Sequence, residues 1–293
     1  MEDIMEDYII TTDNTADLPD TYLQENGLNT MSLSYIIDGE SYDEDHPLPW
    51  KEFYAKMRAG SMPTTSQINT EQARVRLENF LEQSKQIIHI AFSSGLSGTY
   101  NSVSVAAREL MEERPDCRIT VVDSLCASLG EGLLVHLALQ QQKNGMGYDE
   151  LVGWLEEHKL HICHNFTVDD LFHLYRGGRV SRTAAVLGTV INLKPLLHVD
   201  DEGHLIAVGK VRGRKKSLSA LVDAMEKQIG SWHARNDVVF ISHGDCEEDA
   251  EYVKDQVEKR FGIHNFIIAP VGPTIGAHSG PGTLALFYMG DVR

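Results

Sequence analysis

The chain has 293 residues, with 26 Lys and Arg against 43 Asp and Glu, so its formal net charge is −17. Binding along a nucleic-acid backbone needs an excess of positive charge, and this composition therefore excludes a general nucleic-acid binder. With 42% hydrophobic and 24% charged residues, the chain is typical of folded globular proteins, and its length suits two domains.

The sequence contains no pattern typical of a membrane span or a secretion signal. An uncharged stretch from Ile263 to Met289 is interrupted by seven Gly and Pro residues, so it cannot form one spanning helix. The first residues, Met1 to Asp7, are acidic, unlike the basic start of a signal peptide. We therefore expect a cytoplasmic protein.

The first half of the chain alternates short apolar runs with helical patterns. The predicted strands are Tyr8 to Thr12, Leu28 to Ile37, Gln86 to Phe92 and Arg118 to Asp123. Helices are predicted after Asp17 and Pro19, then over Pro49 to Ala59, Thr70 to Gln83, Thr99 to Met111 and from Gly130 to Lys143, with Pro63 to Gln67 as a loop. Repeated strand, small-residue loop and helix units indicate a mainly parallel α/β sheet.

The order changes near Leu160. The predicted strands of the second half are His161 to Thr167, Pro195 to Val199, His204 to Val211, Val238 to Ser242, Asn265 to Ala269 and Thr283 to Tyr288. Its predicted helices are Val168 to Tyr175, Thr183 to Asn192, Ser217 to Ile229 and Glu247 to Phe261. Because the turn Asp200 to Gly203 favours an antiparallel hairpin, we predict an α+β domain over residues 161–293, after an α/β domain over residues 1–160.

Metal binding is not indicated by the histidines and cysteines. Cys117, Cys126, Cys163 and Cys246 form no CxxC pair. His158, His161 and His164 with Cys163 span a predicted helix end and a strand, so their side chains would not converge on an ion. We expect neither a metal nor a cofactor.

A loop rich in serine and glycine, Phe92 to Tyr100, lies between a predicted strand and a helix. Free backbone N–H groups and hydroxyls at such a place suit either an anion or ordinary helix capping. The loop lacks the lysine of a P-loop and the third glycine of a dinucleotide fingerprint, so a nucleotide is not indicated. A small-phosphate binder stays open.

Gly95 to Thr99 also resembles the G-x-S-x-G turn of serine hydrolases, with Thr99 in place of the last glycine. His243 or His278 could serve Ser97 as a base, although nothing in the sequence places an acid beside either. An esterase is therefore the alternative hypothesis.

Two other segments have patterns that indicate a functional site. Between Leu174 and Lys216 nine basic residues stand against three acidic ones, which suits an anionic ligand or an acidic partner. Within it, Gly177 and Gly178 predict a helix end that places Arg179 on a tight turn. Near the C-terminus, Gly276 to Gly282 surrounds His278 with Gly and Pro, which predicts a constrained loop.

Taken together, eight segments in this order resemble the DegV family of bacterial lipid-binding proteins. They are Thr12 to Pro19, Pro63 to Gln67, Ser93 to Tyr100, Val122 to Ser124, Val168 to Ser181, Asn192 to Pro195, Val211 to Lys216 and Gly272 to Gly282. The resemblance implies a two-domain fold with a Rossmann-like N-terminal sheet, a largely antiparallel C-terminal sheet and a lipid tunnel between them.

The resemblance also implies a function. One long-chain fatty acid would be bound through its carboxylate by Thr65 and Ser97, and presented to a separate ATP-binding kinase subunit that makes acyl phosphate for phospholipid synthesis. Arg179, Arg212 and His278 match positions associated with the head group or with transfer. The supporting loop residues would be Ser66, Ser93, Ser94, Gly95, Gly98 and Gly280.

The chain itself would then be a carrier rather than an enzyme, in transient contact with a membrane or an acyltransferase. Its ligand would gain roughly 11 kcal/mol from burying about 14 methylenes, at ~0.8 kcal/mol each. Because a bilayer offers a similar gain, head-group contacts must favour the protein. The sequence departs from the family pattern at Asn14, where serine is more often expected, and in the acidic leader Met1 to Asp7.

Overall fold

The computed structural model describes residues 8–181 and 192–293. The acidic leader, Arg182 and all but the last residue of the helix predicted over Thr183 to Asn192 lie outside these ranges. Within them, no helix is long and apolar enough to cross a bilayer.

The strands and helices follow one another in the order expected for an α/β half and an α+β half. The strands are β1 (Tyr8–Asp13), β2 (Asn29–Met31), β3 (Ser34–Ile37), β4 (Glu40–Tyr42), β5 (Thr64–Ser66), β6 (Gln86–Ala91), β7 (Arg118–Asp123), β8 (Ile162–Thr167), β9 (Leu193–Val199), β10 (Leu205–Arg212), β11 (Val239–His243), β12 (Phe266–Pro270) and β13 (Leu284–Met289). The helices are α1 (Asp20–Asn26), α2 (Trp50–Arg58), α3 (Thr70–Leu81), α4 (Thr99–Glu113), α5 (Leu129–Lys143), α6 (Tyr148–His158), α7 (Phe172–Arg176), α8 (Arg214–Gln228), α9 (Glu247–Phe261) and α10 (Pro273–Ser279).

The first sheet is parallel throughout, in the order β2-β1-β6-β7. Its central strand β6 carries Ile87, Ile88 and Ile90, all fully buried, because helices cover both faces. The loops that follow β1, β6 and β7 therefore meet at one edge of the sheet, which is where α/β proteins bind ligands.

The second sheet has the order β10-β9-β8-β13-β11-β12, and each neighbouring pair is antiparallel except β11 with β12. The predicted hairpin at Asp200 to Gly203 is confirmed, since β9 and β10 pair across it and the Asp200 carboxylate accepts the N–H groups of Glu202 and His204. The predicted fold class, a parallel sheet followed by a largely antiparallel one, is confirmed.

Helix α5 lies between the two sheets and contacts strands of both. Leu133, Leu134 and Val135 are buried in one core that includes Ile10 of the first sheet and Phe287 of the second. The two halves thus share a hydrophobic core, and their division at residue 160 stays a prediction.

The strand predicted over Leu28 to Ile37 is wrong as a single element. It divides into β2 and β3, which belong to different sheets. At the break, Asn14 accepts the N–H of Leu33 at 3.1 Å and donates to its carbonyl at 3.2 Å. A side chain that satisfies both backbone groups of one residue removes the need for a strand partner there.

A small third sheet, in the order β4-β3-β5, corrects a second expectation. The segment Pro63 to Gln67, predicted as a loop, contains β5, which pairs with β3 so that Thr65 lies opposite Tyr35. The β3–β4 turn at Asp38 and Gly39 has positive φ at both residues, as a tight hairpin requires. This sheet holds Thr65 on a strand instead of a free loop.

Helix α7 is shorter than the predicted helix Val168 to Tyr175. The backbone N–H of Phe172, the first residue of α7, donates to the Asp170 carboxylate at 2.8 Å. The residues before Phe172 therefore form a turn and not a helix. The helix ends as predicted: Gly178 has φ +74°, and the N–H of Arg179 donates to the carbonyl of Leu174.

Candidate functional site

A cavity of about 580 Å³ lies between the loops of the first sheet, the inner face of the second sheet and helix α10. Most of its wall is apolar. The larger apolar lining residues are Leu33, Phe92, Leu96, Phe166, Leu174, Val199, Leu205, Val271, Ile275 and Phe287. Among the predicted site residues, the cavity is lined by Thr65, Ser66, Ser97, Gly98, Arg179 and His278.

Thr65 and His278 meet at this cavity, with 2.8 Å between Thr65 Oγ1 and His278 Nε2. His278 lies on the last turn of α10, so the prediction that it sits in a constrained loop is wrong. The helix forms because Pro273 has the backbone angle required at a first helical position. The following glycine, Gly280, has φ +80° and ends the helix.

The His278 ring is neutral at physiological pH. Burial, with smaller contributions from Arg179 and Arg176, lowers its pKa from 6.5 to about 4. Its Nδ1 is buried without a hydrogen-bond partner among the residues that the structure describes. This nitrogen faces Gly177, where an added Cβ would lie only 2.0 Å from it.

Ser97 lies in the loop between β6 and α4. Its Oγ accepts the N–H of Thr99 at 3.2 Å and lies 2.9 Å from the Thr99 hydroxyl. Gly98 lets the Gln67 side chain approach, because a Cβ there would come within 2.4 Å of Gln67 Oε1. The segment that carries Thr65 and the loop that carries Ser97 are thereby brought together.

The backbone amides of this loop are used within the chain. Those of Phe92 and Ser94 donate to the carboxylates of Asp13 and Asp123, at 2.8 and 3.1 Å. Those of residues 93, 95, 96 and 97 donate to Cys126 or Ser93. Of the two roles that the sequence left open for the loop, anion binding is therefore not available to these six amides, and the hydroxyls are left to contact a ligand.

Arg179 connects α7 to the Ser97 loop. Its Nε and Nη2 donate to the carbonyl of Leu96 at 3.2 and 3.0 Å, and its Nη1 donates to the carbonyl of Gly177. Burial lowers the pKa of its guanidinium, which nevertheless keeps its charge. Arg179 thus fixes the loop and places a positive charge beside the cavity.

Arg212, at the end of β10, does not line the cavity. It is exposed opposite Leu193, after a bulge between Ala207 and Gly209 in the pairing with β9. Elsewhere in the basic segment, Lys194 pairs with Asp169 at 2.5 Å and Arg214 pairs with Asp249 at 2.8 Å. Arg212 therefore has no place in the binding pocket itself.

The remaining supporting residues do not line the cavity. Ser93 Oγ donates to the carbonyl of Gly203 at 2.9 Å, and Gly95 lies against the same hairpin, since a Cβ there would be 2.8 Å from the Glu202 carbonyl oxygen. Ser94 is exposed, and Gly280 lies beside His173. These residues position the Ser97 loop and α10.

The serine-hydrolase arrangement is not formed. Ser97 is paired with Thr99, and His278 is paired with Thr65. The His243 ring packs against Trp50 with 5.9 Å between centroids. In residues 8–181 and 192–293, no histidine lies within hydrogen-bond distance of Ser97, and no group of three His, Cys, Asp or Glu side chains could hold a metal.

Sequence reasoning missed a group of polar residues on the inner wall. Ser128 Oγ donates to Asp17 Oδ2 at 2.5 Å and lies 3.0 Å from Ser242 Oγ. Asp17 also accepts the N–H of Gly272 at 3.0 Å, and burial raises its pKa to about 7. Isolated serines carry no sequence signal, so only the fold brings this group together.

The chain is similar to known proteins over nearly its whole length. The model of uncharacterised proteins of the DegV family matches residues 8–291. The chain belongs to the DegV family. A DegV domain-containing protein of Clostridium perfringens is 43% identical over 291 residues, which cover 99% of both chains.

Solved DegV structures have the same fold. A DegV lipid-binding protein from Thermotoga maritima aligns with a TM-score of 0.85 at 29% identity, covering 98% of this chain and 99% of that one. A DegV family protein from Thermus thermophilus, described for its fatty acid binding, aligns with a TM-score of 0.85 at 28% identity, covering 97% and 99%. The cavity thus lies in a fold whose solved members include lipid-binding proteins.

Proposed function

We propose that this DegV protein binds one long-chain fatty acid, with the tail in the cavity and the carboxylate at Thr65 and Ser97. The observation that carries the proposal is a largely apolar cavity with these two half-buried hydroxyls in its wall. The fatty acid binding described for the Thermus thermophilus relative supports it.

The hydrogen bonds around the two hydroxyls suit a carboxylate. When His278 Nε2–H donates to Thr65 Oγ1, the Thr65 hydroxyl proton is free for a ligand. Ser97 Oγ accepts from Thr99 N–H, and when the Thr99 hydroxyl donates across their 2.9 Å contact, the Ser97 proton is free as well. Two hydroxyl donors to an ionised group make charge-assisted hydrogen bonds, which are stronger than neutral ones.

We further propose that the protein is a carrier that presents the carboxylate to a separate ATP-binding kinase subunit, which forms acyl phosphate. Arg179 beside the cavity would stabilise the added negative charge, and the exposed Arg212 would contact the partner. No group on this chain has to activate a nucleophile in this scheme, which agrees with the lack of a histidine beside Ser97 among the described residues.

The binding step is tested by delipidating the protein, adding stearic acid and measuring the stoichiometry by native mass spectrometry. We expect one bound molecule, and a loss of affinity of roughly 100-fold in the double variant Thr65→Val, Ser97→Ala, because two charge-assisted hydrogen bonds are removed. Ser104→Ala, on helix α4 outside the cavity, is the matched control.

Turnover of a chromogenic acyl ester that Ser97→Ala abolishes would instead establish the esterase. A thermal shift with inorganic phosphate but not with stearic acid would establish the phosphate binder. ATP-dependent formation of acyl phosphate in the presence of a partner kinase, and none by this protein alone, is expected for the carrier.

A further inference from the structure

The inner wall of the cavity is more polar than an acyl chain requires. Ser128, Ser242 and Ser279 all line the cavity, and their exposed fractions are only 5%, 0% and 4%. Thr65 and Ser97, in contrast, are half-buried. The three serines are therefore buried more deeply than the hydroxyls that we assign to the carboxylate.

Of the three serine hydroxyls, that of Ser279 makes the fewest hydrogen bonds. Its Oγ is buried and has no hydrogen-bond partner in the described part of the chain. Leaving a buried hydroxyl unpaired is unfavourable, so an unpaired hydroxyl in a cavity wall indicates that a ligand atom or a water completes its hydrogen bonding.

Ser242 has hydrogen-bonding capacity to spare as well. Ser128 has a single hydroxyl proton for its contacts with Asp17 and Ser242, so Ser242 Oγ accepts at most one hydrogen bond from it. At least one lone pair of Ser242 is therefore without a donor among the described residues. Ser242 can accept a hydrogen bond, and Ser279 can donate one.

The fold connects the strand that carries Ser242 to the end of α10, which carries Ser279. Ser242 pairs with Ala285 across β11 and β13, and Thr283, two residues earlier, donates to the carbonyl of Gly280 at 2.8 Å. Gly280 directly follows Ser279. An alcohol group between the two serines could donate to one and accept from the other, whereas a methylene could do neither.

We propose that Ser242 and Ser279 form a second polar subsite, which takes a hydroxyl group carried along the acyl chain. This inference rests on the proposed fatty acid binding and adds a class of ligand to it, the hydroxylated long-chain acids. The carboxylate would be held at Thr65 and Ser97, and the position of the hydroxyl on the chain would determine whether it reaches the subsite.

The test compares stearic acid with a series of hydroxystearic acids that differ only in the position of the hydroxyl, by displacement of a fluorescent fatty acid from the full chain. One isomer is expected to bind at least as tightly as stearic acid. The others should bind about tenfold more weakly, because their hydroxyl is buried without a partner.

In Ser279→Ala, the favoured isomer should lose about tenfold in affinity while stearic acid binds unchanged. Removing an unpaired hydroxyl should leave the unfolding temperature unchanged or higher, so misfolding is readily detected. Ser104→Ala is the matched control, since its hydroxyl also lacks a partner among the described residues but lies outside the cavity.

Weaker binding of every hydroxylated isomer by the unaltered protein would overturn the proposal and assign the subsite to water. An equal loss for stearic acid and the favoured isomer in Ser279→Ala would also overturn it, since Ser279 would then contact the carboxylate. If stearic acid itself fails to bind, the proposed function fails instead, and the two failures are thereby distinguished.

Discussion

His278 Nδ1 faces Gly177 so closely that a single added carbon on the glycine would lie 2.0 Å from the ring nitrogen. The two residues are about a hundred positions apart, and the contact fixes the ring that holds the Thr65 hydroxyl. Gly177, which acts on the proposed ligand only through His278 and Thr65, thus determines the geometry of the carboxylate site.

Gly177→Ala should therefore displace His278 and weaken stearic acid binding by about tenfold, through loss of one oriented hydrogen bond. Gly177 has φ −72°, so alanine causes no backbone strain there and the effect is steric. Gly153→Ala is the matched control, because a Cβ at Gly153 in α6 meets no atom within 4 Å. Unchanged affinity in Gly177→Ala would show that His278 does not orient Thr65.

His278→Gln should keep most of the binding affinity, because glutamine can also donate an N–H to Thr65. His278→Leu cannot, and should bind about tenfold more weakly. Since the pKa of His278 is about 4, the ratio of dissociation constants between the unaltered protein and His278→Gln should be constant from about pH 5.5 to 8. A change in that ratio around the ordinary histidine pKa would contradict the neutral ring.

Asp17 should make the protein less stable as the pH rises. Burial raises its pKa to about 7, so between about pH 4 and 7 the folded protein keeps a proton that the unfolded chain releases. Stability contributed by this proton is complete below about pH 4 and is lost as the pH rises through 7.

Asp17→Asn, which stays neutral and can still accept the Gly272 N–H, should remove this dependence. Relative to the unaltered protein, its free energy of unfolding in urea should increase by up to about 1.4 kcal/mol per pH unit across that window. Asp20→Asn, at the exposed start of α1, controls for the lost charge. Parallel pH profiles for the Asp17 variant and the unaltered protein would refute a neutral Asp17.

Asn14→Ala should destabilise the protein by about 1–3 kcal/mol, because it leaves the buried N–H and carbonyl of Leu33 without their partner. Leu33 lines the cavity, so stearic acid affinity should fall as well. Asn265→Ala, which removes a hydrogen bond between exposed groups, should cost less than half as much in urea unfolding. Equal losses in the two variants would rule out a special role for Asn14.

Much of the fold is predictable because the apolar runs are strong. Glu247–Phe261 and Arg118–Asp123 have the predicted bounds, since helical and strand periodicity there coincide with clear turn residues. Thr64–Ser66 was missed because a three-residue polar strand exists only through its pairing with β3. The small Asn14 side chain likewise ends β2 through a contact that no local pattern encodes.

The site residues likewise include some that the sequence predicts and others that it does not. Thr65, Ser97, Arg179 and His278 occur in recognisable motifs, and all four line the cavity. Ser128 and Ser242 do not, and Ser279, although it lies in the Gly272 to Gly282 segment, has no feature there that marks it as a site residue. The sequence left the role of the loop amides open, because two of their acceptors, Asp13 and Asp123, lie on neighbouring strands.

The position of α5 between the two sheets constrains how a ligand could enter. Swinging the sheets apart would bring Leu133, Leu134 and Val135 into water, at about 1.5–3 kcal/mol for each side chain. A hinge through the middle of the molecule would therefore be slow compared with local movement of the segments around the cavity. Acyl chains should be exchanged by threading past those segments, tail or head first, while the core stays closed.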